Sequence, residues 1–280
     1  MKKYYGIIAA VSFLAIVILS VEIGKGAVLN ESVRTQSSLV DTALSTADSH
    51  STAASVTEST SHATSQQSEE TSEKESDDFP DVSLEDWSMV LVGPKNKIDQ
   101  EIAQSGLAKL SNGYLVDKRI VSAYEDLAEA ADQAGYPLVM VSAYRSVAYQ
   151  KQIFAENVAT LMSRGDSQEE ATKTTKLTFT EPGYSEHHTG LAIDVVDKAW
   201  YQDHTTDVLD HQFGDTDGGK WIQVHAREYG FIVRYPKGKY AITQIDYEPW
   251  HLRYVGVEAA TYIEDNQLTF EEFIDQAKER

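Results

Sequence analysis

Hydrophobic and polar residues divide the 280-residue chain into three parts. An uncharged, mostly apolar run of eighteen residues, 4–21, comes near the N-terminus. Large apolar side chains are sparse from residue 31 to residue 80, and from residue 81 they recur with the spacing of helices and strands. The pattern predicts a membrane segment (1–30), a disordered linker (31–80) and a folded domain (81–280).

Within the folded domain, the spacing of apolar residues predicts both helices and strands. Helices are expected over residues 120–134, 146–163, 220–229 and 270–278. Strands are expected over residues 87–92, 138–141, 190–196, 231–235 and 250–255. Helices come early, several strands come late, and the two do not alternate regularly. We therefore expect an α+β fold rather than a βαβ succession.

The apolar run 4–21 is just long enough for a membrane-spanning helix, which needs about 20 residues. Lys2 and Lys3 precede it, which predicts a cytoplasmic N-terminus and an exported remainder. We expect a single-pass protein of the cell membrane with an extracellular folded domain. The alternative is a signal peptide cleaved near residues 24–27, which would give a secreted protein.

The linker 31–80 has the composition of a disordered segment. Twenty-one of its fifty residues are Ser or Thr, and ten are acidic against two basic. Such a segment cannot bury enough apolar surface to offset the chain entropy lost on folding. We interpret it as a stalk that carries the folded domain away from the membrane.

Charge and cysteine content exclude several classes of function. The chain has 44 acidic and 24 basic residues, a formal charge of −20, and no cysteine. Nucleic-acid binding needs clustered Lys and Arg, so we expect no nucleic-acid partner. The absence of cysteine excludes a disulfide scaffold, a thiolate zinc site and a cysteine nucleophile. A metal ion or a cationic partner suits this charge better.

The stretch 185–194 contains two residues with metal-ligand chemistry, His187 and Asp194. Gly190 and the apolar residues after it predict a loop entering a strand, so that both side chains face one cleft. A catalytic zinc site takes three ligands of the His, Asp or Glu type and leaves one position for water. The third ligand has to come from elsewhere in the chain, and His251 is the best candidate.

Glu248 lies three residues before His251. A carboxylate beside a metal-activated water can accept a proton and later deliver it to a leaving amine. Pro249 and Trp250 restrict the backbone between the two residues, which favours a functional role for Glu248 over an ordinary surface position. We therefore expect Glu248 to be a general base.

Arg145 follows a predicted strand and lies at the start of a predicted helix. Its planar guanidinium can pair in a two-pronged manner with a carboxylate. If Arg145 faces the metal, it would hold the free C-terminal carboxylate of a peptide. That geometry selects the last peptide bond and indicates a carboxypeptidase. A surface salt bridge is the alternative interpretation.

Three motifs together resemble the VanY-type D-alanyl-D-alanine carboxypeptidases, a group of zinc peptidases. The pattern S-x-H-x-x-G-x-A-x-D begins at Ser185, E-x-W-H begins at Glu248, and S-x-Y-R-S-x-x-x-Q begins at Ser142. The resemblance covers about residues 87–256. It implies a small antiparallel sheet flanked by helices, with a zinc site in a surface cleft.

The resemblance also implies a role for each site residue. Zn²⁺ would be bound by His187, Asp194 and His251. Glu248 would be the catalytic base. The substrate would be bound by Tyr144, Arg145, Gln150 and Ser185.

The function implied by the resemblance is removal of the C-terminal D-alanine from peptidoglycan stem peptides. The motifs are shared by D,D-carboxypeptidases acting on pentapeptides and L,D-carboxypeptidases acting on tetrapeptides, so both stay open. Alternatives are a D-Ala-D-Ala dipeptidase, a peptidoglycan endopeptidase, or a non-catalytic zinc-dependent wall-binding module. The expected partners are stem peptides and, through the N-terminal helix, the membrane. We expect a monomer.

Overall fold

The structure is a computed structural model that describes residues 79–176 and 179–280. The predicted membrane segment, 1–30, and nearly all of the predicted linker, 31–80, lie outside the described residues. Among the helices that are described, none combines the length and the apolar character needed to cross a bilayer.

The described residues form six β-strands and eight α-helices. The strands are β1 (Leu107–Lys109), β2 (Leu115–Asp117), β3 (Leu138–Ser142), β4 (Ala192–Asp197), β5 (Phe231–Val233) and β6 (His251–Tyr254). The helices are α1 (Val121–Gln133), α2 (Val147–Ser163), α3 (Gln168–Thr175), α4 (Lys198–Asp203), α5 (Asp217–His225), α6 (Tyr240–Thr243), α7 (Val257–Asp265) and α8 (Phe270–Lys278).

Four of the strands form one antiparallel sheet in the order β3-β4-β6-β5, and β1 and β2 form a separate hairpin. The strands β4 and β6 are therefore the two central strands. Helices surround this small sheet, which confirms the predicted α+β class and its antiparallel sheet.

The main core lies between the sheet and its helices. It contains Leu127 of α1, Ile193 of β4, Ile222 of α5 and Leu252 of β6, each with 0% of its surface exposed. Burying a side chain of this size stabilises the fold by about 1.5–3 kcal/mol. A second cluster packs α7 and α8 near β5, with Phe270 and other apolar residues at its centre.

Most of the predicted helices agree with the structure. The ranges 120–134, 146–163 and 270–278 correspond to α1, α2 and α8. Ser146 caps α2, because its hydroxyl accepts a hydrogen bond from the backbone nitrogen of Tyr149 at 3.0 Å. The predicted helix 220–229 ends earlier, at His225, and a 3₁₀ turn continues to Gly230.

The predicted strand over 87–92 is wrong. This segment does not pair with a strand of the described sheets. Its carbonyl groups instead accept hydrogen bonds from an arginine side chain: Arg253 Nη2 donates to Ser88 O at 2.8 Å and to Val90 O at 2.7 Å. In a sheet, these carbonyl groups would accept hydrogen bonds from a neighbouring strand. Here the guanidinium of Arg253 is the donor instead.

Candidate metal centre and substrate cleft

The two central strands bring two of the predicted ligands together. Asp194 on β4 and His251 on β6 are direct cross-strand partners in the antiparallel register. Residues opposed in this way have Cβ atoms about 4.5–5.5 Å apart. Asp194 Oδ1 lies 3.0 Å from His251 Nδ1, and both side chains are almost completely buried. Strand pairing alone therefore positions these two residues.

His187 reaches the same point from the turn before β4. The 3₁₀ turn Glu186–Thr189 ends at Gly190, which has a left-handed φ of 71°. A Cβ on Gly190 would lie 2.9 Å from the backbone nitrogen of Asp117, so only glycine fits here. The turn brings His187 Nε2 to 3.2 Å from Asp194 Oδ2. One ligand atom from each of the three predicted ligands lies within 4.8 Å of the others.

The chemistry of this cluster fits a zinc ion. His187 Nδ1 and Asp194 Oδ1 are buried polar atoms without a hydrogen-bond partner, since the 3.0 Å contact of Oδ1 with His251 lacks hydrogen-bond geometry. Buried polar atoms normally have partners. Two imidazoles and a carboxylate are donors that catalytic zinc takes, leaving a position for water. A cation between them would satisfy ligands that the protein alone leaves incompletely paired.

The electrostatics of the cluster also favour a cation. Burial would raise the pKa of Asp194, but the neighbouring His187 and His251 hold it far below its usual range. Burial would lower the pKa of His251, but the adjacent carboxylates of Asp194 and Glu186 raise it to about 10. The metal-free cluster therefore retains a proton on His251. A metal ion needs the neutral imidazole and replaces that proton, so the site is built for positive charge.

Glu248 lies at the opening of the cluster. Its side chain is 27% exposed, whereas those of the neighbouring ligands are about 5–6% exposed. Glu248 Oε2 lies 3.7 Å from His251 Nδ1. Burial, assisted by Asp194 and opposed by His251 and Arg145, raises the pKa of Glu248 to about 7. A carboxylate with this pKa can both accept and return a proton near neutral pH.

Arg145 is a partly buried cation without an acidic partner among the described residues. Its guanidinium donates to Gln150 Oε1 at 2.8 Å and to Ser142 Oγ at 2.9 Å, both of which are neutral acceptors. Burial lowers its pKa, while Asp194 and Glu248 favour its charged form from a distance. An arginine held in this way has unused capacity for an anion.

The other predicted substrate-binding residues occupy different places. Gln150 is completely buried, its Oε1 accepts from Arg145, and its Nε2 donates to Thr180 O at 2.7 Å. Gln150 thus supports the guanidinium of Arg145, and a direct contact of Gln150 with substrate stays a prediction. Ser185 is 4% exposed and precedes the turn that carries His187. Tyr144 is partly exposed beside Arg145.

The structure separates the two neighbouring histidines. His188 Nδ1 lies 2.6 Å from Arg145 O, and the backbone nitrogen of Gly183 donates to His188 Nε2 at 3.1 Å. The ring is therefore neutral with its proton on Nδ1, and both nitrogens are occupied. His188 joins two loops and is not part of the metal cluster, whereas His187 is.

Glu186 is a residue of this region that the sequence analysis missed. It is 1% exposed and accepts hydrogen bonds from Arg234 and Arg253 while lying next to His251. The sequence contained one signal, since Arg253 lies inside a predicted strand and a buried arginine needs an acidic partner. With 44 acidic residues in the chain, the partner could not be identified from the sequence.

Comparison with known proteins agrees with the motifs. The family model VanY, described as D-alanyl-D-alanine carboxypeptidase, matches residues 113–257, which include every predicted site residue. YodJ of Bacillus subtilis (strain 168) is 40% identical over 185 residues, which make up 66% of this chain and 62% of YodJ. The match therefore spans somewhat less than two thirds of that relative.

Two solved structures are similar to this chain. One is a mutant of the vancomycin resistance D,D-pentapeptidase VanY in complex with Zn(II), with 35% identity, a TM-score of 0.57, and coverage of 68% of this chain and 99% of that one. The other is the LD-carboxypeptidase LdcB, with 36% identity, a TM-score of 0.56, and coverage of 66% of this chain and 84% of that one.

Metal content tests the cluster directly. We expect the wild type to retain about one zinc ion per chain after dialysis and His187→Ala to retain far less, because the ion loses one of three protein ligands. His225→Ala is a matched control, since His225 is more exposed and stacks on Trp221 at 4.7 Å. Elemental analysis of the dialysed proteins gives the result, and an equal zinc content in His187→Ala would contradict the assignment.

Proposed function

The chain belongs to the VanY family of D-alanyl-D-alanine carboxypeptidases, and from this premise we propose that it is a zinc-dependent carboxypeptidase of peptidoglycan stem peptides. The observation that carries the proposal is the convergence of the buried ligand atoms of His187, Asp194 and His251, all within 4.8 Å. Glu248 at the opening would serve as the general base, and Arg145, which has no acidic partner among the described residues, would bind the terminal carboxylate.

His187, Asp194 and His251 hold the zinc ion. Bound there, zinc supplies a Lewis acid that polarises the scissile carbonyl and lowers the pKa of water to roughly 7. Glu248 takes one proton from the attacking water as the new carbon–oxygen bond forms. When the carbon–nitrogen bond breaks, Glu248 returns that proton to the amine, and free D-alanine leaves. No covalent enzyme intermediate is needed, in keeping with the absence of a cysteine.

Arg145 determines which peptide bond is cut. Its guanidinium pairs with the terminal carboxylate of the substrate, while Gln150 and Ser142 hold it from the protein side. In a peptide that continues beyond the last D-alanine, a neutral amide would replace the terminal carboxylate, and Arg145 would have no negative charge to bind. The free-dipeptide substrate of a dipeptidase would in addition require a group that holds its amino end.

The related enzymes differ in the stem peptide that they cut. The VanY relative is a D,D-pentapeptidase, and LdcB is an LD-carboxypeptidase that recognises peptidoglycan. The zinc ligands, the base and the carboxylate clamp serve either reaction, because both release one D-alanine with a free carboxylate. Pentapeptides and tetrapeptides are therefore the two substrates to compare.

Digestion of defined muropeptides is the direct test. We expect the wild type to remove one alanine from a pentapeptide or a tetrapeptide stem, and a chelator to abolish the reaction. Glu248→Gln should retain its zinc but lose about 10²–10⁴-fold in kcat, because the proton acceptor is gone. Mass spectrometry of the products and elemental analysis of the variant give both readouts.

Each other outcome identifies a different function. Release of D-alanyl-D-alanine would indicate a dipeptidase type of cut, and cleavage within a cross-link would indicate an endopeptidase. Zinc binding without cleavage of any stem peptide would indicate a wall-binding module. Full activity of Glu248→Gln would refute the proposed mechanism.

The role of Arg145 can be tested with a pair of peptides that differ only at the C-terminus. Wild type should cut the peptide with a free carboxylate and discriminate against its C-terminal amide. In Arg145→Ala, kcat/KM for the free acid should fall about 10–100-fold, since a charge-assisted hydrogen bond contributes about 1.5–3 kcal/mol. The amide should be affected much less. Arg164→Ala, at an exposed position after α2, is the control.

We propose a location at the cell membrane, which the N-terminal sequence supports. Residues 4–21 anchor the protein in the cell membrane, and the Ser- and Thr-rich segment 31–80 carries the enzyme towards the wall. Lys2 and Lys3 before the apolar run support this orientation. Cell fractionation should recover the full chain with membranes and a variant lacking residues 1–30 in the soluble fraction. Recovery of the full chain from the culture medium would indicate cleavage and secretion.

A further inference from the structure

A cluster of buried charges lies directly behind the metal site. Glu186, Arg234 and Arg253 have side chains that are 0% exposed, and Glu271 of α8 is 14% exposed. Arg234 pairs with Glu271 through two hydrogen bonds of 2.7 and 2.8 Å. With two acids and two arginines the cluster is neutral, which is the condition under which charges can be buried.

The two oxygens of Glu186 have different partners. Oε1 accepts from Arg234 Nε at 2.8 Å and from Arg253 Nη1 at 2.7 Å. Oε2 lies 3.4 Å from His251 Nε2. Because His251 Nδ1 faces Asp194 and Glu248, Nε2 is the nitrogen left to interact with Glu186. The two arginines therefore hold the carboxylate in place, and the carboxylate in turn faces the ring of His251.

We propose that Glu186 is a positioning residue that orients the imidazole of His251 for metal binding. A carboxylate behind a ligating histidine accepts the proton of the distal ring nitrogen, fixes the tautomer, and makes the other nitrogen a better donor. Here the distal nitrogen is Nε2, so Nδ1 is free for the metal. The proposal rests on the proposed function for the identity of the metal ion.

The cluster also connects the metal site to segments beyond the family match at 113–257. Arg253 Nη2 donates to Ser88 O at 2.8 Å and to Val90 O at 2.7 Å, and Arg234 is held by Glu271 of the last helix. The chain before the family match and the C-terminal helix thus contact the outer side of the two arginines, whereas the inner side of both arginines binds Glu186 directly.

The test compares two charge-neutralising variants in the same cluster. Glu186→Gln removes the carboxylate that faces His251, and Glu271→Gln removes a carboxylate that contacts Arg234 but not the histidine. We expect Glu186→Gln to bind zinc about 10–100-fold more weakly than the wild type, in line with the loss of other outer-shell carboxylates. Glu271→Gln should bind zinc like the wild type even if it unfolds more easily.

Two readouts separate positioning from general stability. Zinc affinity is measured by competition with a chromogenic chelator, and the ligand field is measured from the visible absorption of the cobalt(II)-substituted proteins. The cobalt spectrum should change in Glu186→Gln and stay unchanged in Glu271→Gln. If Glu186→Gln fails to fold, Glu186→Asp takes its place, because it keeps the negative charge for both arginines but withdraws it from His251. Its zinc affinity should likewise fall.

The outcomes are distinguishable. If the wild type does not bind zinc, the proposed function fails and this inference fails with it. If the wild type binds zinc and the Glu186 variants bind it equally well, only the positioning role is overturned. An equal loss of affinity in Glu271→Gln would also overturn it, because the cluster would then act through stability alone.

Discussion

The pairing of Asp194 with His251 across β4 and β6 is the constraint on which the rest of the site depends. Side chains alternate between the two faces of a strand, so a register slip of one residue would turn one of these ligands to the opposite face. The adjacent pair, Ile193 with Leu252, is completely buried in the main core. The same slip would remove one of these two side chains from the core. Hydrophobic burial therefore enforces the ligand geometry.

Charge is balanced inside the protein and left unbalanced at the cleft. Glu186 has two arginine partners in the interior, and Asp194 lies between two histidines. At the cleft, Arg145 has only neutral acceptors among the described residues, and Glu248 has only a 3.7 Å contact with His251. A buried charge without a partner is costly, whereas a charge at a cleft can be completed by substrate. These are the two groups that act in the proposed reaction: Arg145 binds the substrate carboxylate, and Glu248 accepts and returns the proton.

Backbone contacts hold the carboxylate clamp and the metal cluster at a set separation. The backbone nitrogen of Arg145 donates to His187 O at 3.1 Å, and the ring of His188 returns a contact to Arg145 O. The segment that carries the clamp is thus joined directly to the turn that carries a ligand. In a carboxypeptidase this separation determines where the terminal bond lies relative to the metal. The ring of His188 therefore stabilises the loops around the site and takes no part in the proposed reaction.

The sequence by itself determined the α+β class, the positions of α1, α2 and α8, and the three residues that the structure brings together as possible metal ligands. These depend on local signals: apolar periodicity, caps such as Ser146, and short motifs around His187 and Glu248. It did not reveal short elements such as β1 or α4, which contain too few residues for a periodic pattern. Three contacts were decided only by the tertiary structure. Arginine side chains donate to the backbone carbonyls of 87–92, Gln150 accepts from Arg145, and Glu186 lies next to the ring of His251. The contacts of Arg253 with 87–92 and of Glu186 with His251 join residues far apart in the chain, and no local pattern of one strand or turn contains both partners. Gln150 lies only five residues from Arg145, but the direction of its side chain depends on how α2 packs.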